Sequence, residues 1–117
     1  QEQVAMRLNT EWEEDGVRVV HLGDYYAANG QVDWLLTQEE TQASIGSHAG
    51  IRDTSELLAV FPAGIRRDMI APRGGHLLRP TGVNGDPTRA SAERGEKLLA
   101  LKIKAALHQI RAETSGK

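Results

Sequence analysis

A chain of 117 residues with 39% hydrophobic residues, 26% charged residues and a formal net charge of −2 has the composition of an ordinary globular protein of at most one domain, which excludes a disordered or polyanion-seeking class. No apolar run approaches the ~20 residues needed to span a bilayer, and no signal-peptide pattern is present. The lack of cysteine removes disulfide and thiolate chemistry and permits a reducing compartment, so a cytoplasmic location is expected, with neither membrane nor nucleic acid as partner.

In chain order, the spacing of Val4, Leu8, Glu11 and Trp12 predicts a helix over 2–13 that stops at Asp15-Gly16. Val17 to Gly23, short and β-branched between glycines, reads as a buried strand of a parallel sheet. A turn at Asn29-Gly30 precedes a short helix within 31–41. Thr54, Leu57, Leu58 and Phe61 form an i, i+3, i+4, i+7 face that predicts a helix over 49–61 stopped by Pro62. A start at Asp53 as N-cap, with Glu56 three residues on, is the alternative. Prolines and glycines crowd 62–87 and predict irregular connections with one extended piece at 76–78. A helix over 89–112 follows, with Leu99, Ile103, Ala106, Leu107 and Ile110 on one face. Gly95 inside it costs about 1 kcal/mol relative to alanine, which close approach to a neighbouring backbone would explain. Charge is uneven: residues 1–40 hold nine acids against two bases, and residues 41–117 seven against twelve. Solvated helix faces account for this, or else a basic region near an anionic substrate group. Arg66, Arg67, Arg73 and Arg79 form a modest basic cluster read as a solvated loop.

Two segments carry the most information. Ser47-His48-Ala49-Gly50-Ile51-Arg52-Asp53-Thr54-Ser55 resembles the H-[AG]-G-x-x-[ED]-T-S signature of the creatininase (creatinine amidohydrolase) family. The run from Gly82 to Gly95, with Gly85-Asp86-Pro87, Ala90-Ser91 and Gly95 in place, resembles that family's G-x-x-G-D-P-x-x-A-S-x-x-x-G signature, in the expected order. The resemblance implies an α/β layered fold, α/β/α with a mainly parallel sheet, to which this chain supplies only part of the sheet. It also implies that 1–117 is the C-terminal half of a creatininase-like domain. Two divalent metal ions, zinc, manganese or similar, would then be bound mainly by residues outside this chain.

On that reading the chain is part of a metal-dependent amidohydrolase that cleaves a C–N bond of a cyclic or small amide by metal-activated water. The alternative is a non-catalytic assembly subunit with the same fold. His48 matches the histidine that passes a proton to the leaving nitrogen, and Asp53 the carboxylate that orients it. A capping or hydrogen-bonded structural role for His48, and an N-cap role for Asp53, remain open from the residues alone. Tyr25 and Tyr26 match an aromatic pair near the active site, where stacking on substrate and plain packing are both open. Ser47 is assigned to substrate binding or to shaping the turn. Asp86 reads as a turn residue leading into the last helix. The position occupied by a gating tryptophan in creatinine-cleaving members is Ser44 here, which points to a different amide. No H-x-x-x-H or clustered carboxylate pattern offers a metal site. The implied partners are the N-terminal half of the same enzyme as a separate chain, a small-molecule amide and further copies in a homo-oligomer.

Overall fold

Glycine, proline and short polar caps divide this chain into helices, and the computed structural model, which describes residues 1–70 and 82–115, is 64% helical. The expected layered α/β fold with a parallel sheet is corrected: among the described residues no strand occurs. The reason is local. A strand needs a neighbour to take its N–H and C=O groups, and Val17–Gly23 is the sole strand-like run among the described residues. Side-chain amides take those groups instead. Asn9 accepts from the Val19 N–H through Oδ1 at 2.6 Å and donates to the Val19 carbonyl through Nδ2 at 2.9 Å. Gln109 donates to the His21 carbonyl at 2.9 Å and accepts from the Asp24 N–H at 3.2 Å.

The chain divides into two units, Gln1–Asn29 with Lys104–Lys117, and Gly30–Ile103. The smaller unit holds α1 (Glu2–Glu11), α2 (Asp24–Ala27) and the last turns of the long helix α6 (Ala92–Thr114). Helix α1 ends at Trp12, whose N–H donates to the Leu8 carbonyl, and the chain turns through Gly16 at φ +66°. Arg18 pairs with Glu113. That pair is largely solvated and contributes little stability.

The larger unit holds α3 (Gln31–Thr37), α4 (Gln42–Ile45), α5 (Ile51–Val60) and the first turns of α6. Thr41 and Ser44 cap α4 reciprocally: each side-chain oxygen accepts the other's backbone N–H. Helix α5 stops where Pro62, which has no N–H to continue it, opens a single 3-10 turn. Leu35, Ile45, Ile51 and Leu98 form the buried core, with Val32 and Trp34 packed on it. Each such burial contributes about 1.5–3 kcal/mol. The buried stripe of α5 is Ile51, Thr54, Ser55 and Leu58, whereas the expected face included Leu57 and Phe61, which are exposed. Helix α6 sets that choice. A Cβ built on Gly95 would lie 1.9 Å from the Ser55 carbonyl oxygen, so only glycine lets the two backbones meet, as the sequence suggested. The expected helix over 89–112 starts later, at Ala92, because Pro87–Arg89 forms its own 3-10 turn under the Asp86 side chain. The extended piece foreseen at 76–78, and Arg73 and Arg79, lie outside the described residues.

Candidate functional site

The two signature segments are folded onto each other in the larger unit. Gly46 turns at φ +65° after α4 and brings Ser47 and His48 against Asn84. The Asn84 carbonyl accepts from the Ser47 N–H at 3.1 Å and the His48 N–H at 3.2 Å, and the Asn84 N–H donates to the His48 carbonyl at 2.8 Å. Asn84 Oδ1 accepts a second bond from the Ser47 N–H at 2.9 Å and one from the Ser47 hydroxyl at 3.0 Å. Around this bridge the backbones have no room for side chains. A Cβ on Gly46 would stand 1.9 Å from the Asn84 carbonyl oxygen, and one on Gly85 would meet the Ile45 carbonyl at 2.8 Å. A Cβ on Gly50 would likewise stand 2.5 Å from the Ile45 carbonyl oxygen, so Gly50 of the first signature and Gly85 of the second are explained by close approach of main chain to main chain.

Ala49 follows with φ +51°, a left-handed conformation that costs a non-glycine residue about 1–2 kcal/mol. Two bonds hold it there. Its N–H donates to Asp53 Oδ2 at 2.7 Å and its carbonyl accepts from the Thr54 hydroxyl at 3.2 Å. Asp53 sits in the first turn of α5, whose N-cap is Gly50, and its carboxylate braces the turn carrying His48. The His48 side chain is exposed, and its imidazole makes no hydrogen bond among the described residues. Ser55 Oγ accepts from the Ser91 N–H at 3.2 Å, fastening the end of the first signature to the second. Asp86, buried, accepts from the Thr88 N–H at 3.1 Å and its hydroxyl at 2.6 Å, the turn role expected of it.

Ser47 and His48 therefore stand on one loop, which Asp53 braces from the first turn of α5. Tyr25 and Tyr26 belong to the smaller unit, where their rings meet edge to face with centroids 4.9 Å apart. Tyr26 is exposed.

Sequence reasoning missed two residues. Asn84 fell at an unspecified position of its signature. Glu40, beside the exposed Glu39, passed for a solvated charge, yet it is buried and accepts from Arg89 Nε and Arg94 Nη1, both at 2.7 Å, and from Ser44 Oγ at 2.9 Å. Arg89 and Arg94 stand inside the second signature, so Glu40 ties it to α4. The same contact joins the acidic and basic parts of the chain. Burial pushes the Glu40 carboxyl up, but the bonds from Arg89, Arg94 and Ser44 prevail and bring it down from 4.5 to about 2. The folded state therefore binds this proton less readily than the unfolded chain. The corresponding stability, about 3 kcal/mol, is present above pH ~4.5 and lost as pH falls towards ~2. Urea midpoints of the full chain from pH 6 to 2.5 are expected to show that loss, and Glu40→Gln to flatten it. An unchanged pH profile in Glu40→Gln would remove Glu40 from this role.

Among the described residues no group of three or more histidine, cysteine or acidic side chains converges to hold a metal ion, and no helix is long and apolar enough to cross a membrane. The two signatures are thus closed on one another beside an exposed histidine. The chain matches the family model Creatininase, described as creatinine amidohydrolase, over residues 1–110, and it belongs to that family. Neither a curated protein nor a solved structure matches it.

Proposed function

We propose that this chain is part of a metal-dependent amidohydrolase that hydrolyses the C–N bond of a cyclic or small amide. Family membership supports the hydrolase class. The single observation behind the finer reading is that packing, capping or main-chain bonding accounts for the signature positions described above, while the His48 imidazole has no hydrogen-bond partner among the described residues. His48 passes a proton to the leaving nitrogen as the bond breaks. Asp53 orients it through the Ala49 turn, and Ser47 lines the substrate side.

The described residues do not fit a pair of metal ions, since no donor cluster is present. In this reading the metals, zinc, manganese or similar, are held by residues outside the chain, in the N-terminal half of the same enzyme carried as a separate chain. Exposed apolar side chains in each unit agree with a partner surface. Met6 is 65% exposed in the smaller unit, and Val60 and Phe61 are 67% and 59% exposed in the larger. Further copies in a homo-oligomer would cover more of them.

Native mass spectrometry with metal analysis, on the same sample assayed for ring opening of hydantoin and other small cyclic amides and for formate release from formamides, tests the proposal. A second polypeptide, bound divalent ions and amide hydrolysis are expected. A metal-free assembly that hydrolyses no amide of this panel would favour the non-catalytic assembly role.

A further inference from the structure

The bridge that carries His48 has two layers of bonding, and they differ in what a substitution removes. Three main-chain bonds link Ser47 and His48 to Asn84, and any residue but proline at position 84 would keep them. The Asn84 side-chain oxygen adds two more, to the N–H and hydroxyl of Ser47. Those two bonds fix the residue immediately before His48, on the side where Gly46, at φ +65°, would otherwise leave the chain free to rotate. On the other side, Asp53 and Thr54 fix Ala49. His48 is consequently held at both neighbours by side chains, while no hydrogen bond holds its own ring among the described residues.

We propose that Asn84 is a positioning residue for His48: its amide oxygen, acting through Ser47, sets the direction in which the imidazole leaves the backbone. The inference rests on the catalytic reading of His48 given above. A proton donor works only within hydrogen-bond reach of the leaving atom, and displacement by about 1 Å lowers rates by as much as 100-fold. Asn84 touches no reacting atom. Its contribution lies in orientation, and it should act on turnover rather than on substrate affinity.

The test uses the complete assembly and the most rapidly cleaved amide of the panel. Asn84→Ala is expected to lower kcat by about 10- to 100-fold with KM within about twofold. Asn84→Asp keeps an acceptor oxygen at the same reach and is expected to recover most of the rate. Independently of activity, amide hydrogen exchange at Ser47 in Asn84→Ala should quicken by about tenfold, the scale of one lost hydrogen bond, while exchange in the α5 interior stays as in the parent chain. A parent-like kcat in Asn84→Ala alongside an inactive His48→Ala overturns the positioning role and leaves the function standing. A fully active His48→Ala overturns both. A raised KM at unchanged kcat, or unchanged Ser47 exchange, also overturns the positioning role.

Discussion

Gly95→Ala is expected to lower the stability of the chain by about 2–4 kcal/mol, read as a fall in the urea midpoint. In an unconstrained helix the same change would raise stability by about 1 kcal/mol, because alanine loses less backbone freedom on folding. Here the new methyl would sit 1.9 Å from the Ser55 carbonyl oxygen, 2.5 Å from its carbon and 2.9 Å from the Ala59 Cβ, where ordinary contact starts at 3.4 Å. The first two atoms are backbone of α5 and cannot swing aside, so the helices must separate by more than 1 Å. Separation would strip Leu98 from the core and lengthen the bond between Ser91 and Ser55. Gly30→Ala supplies the contrast. It meets no atom within 4 Å and is strained only by φ +72°, at a cost of about 1–2 kcal/mol. A Gly95→Ala midpoint equal to or above the parent's would refute the close approach.

His48→Ala should reduce turnover by about 100- to 10,000-fold, the span associated with general acid–base assistance, and leave the urea midpoint where it was. The two readouts separate the roles this histidine could play. A ring that capped a helix or bridged two elements would take stability with it when removed. In the fold, Asp53 braces the turn before α5 and the bonds between His48 and Asn84 are main chain on both sides, so alanine at 48 removes no hydrogen bond among the described residues. Loss of rate without loss of stability would identify the ring as a reacting group. Full activity in the assembled enzyme would end the assignment.

Most of the helices could be read from the chain because their signals are local. The apolar spacing before Pro62 located α5, Asn29-Gly30 located the start of α3, and Gly95 announced close packing in α6. What failed depended on residues far away. The buried stripe of α5 moved off Leu57 and Phe61 because α6 approaches at Ser55, and nothing within α5 records that. The strand expected at Val17–Gly23 had the right β-branched composition, but pairing belongs to two segments. Its backbone partners are Asn9, ten residues back, and Gln109, 88 residues on from His21. Glu40 is buried because of Arg89 and Arg94, 49 and 54 residues later. At the site, the nearness of Ser47, His48 and Asp53 followed from one contiguous motif. Asn84 did not, because its contribution arises only when the second signature folds back on the first.

The amide side chain of Asn9 has an effect beyond tethering one residue. Val17, Val19 and Val20 make a β-branched, apolar run, and Val17 and Val20 are exposed. Such a run with open backbone groups would be a template for another chain to add itself edge to edge. By occupying both the donor and the acceptor of Val19, Asn9 denies an incoming strand the central rung of that ladder. One polar residue in α1 thus serves as a guard against self-association of the segment it holds.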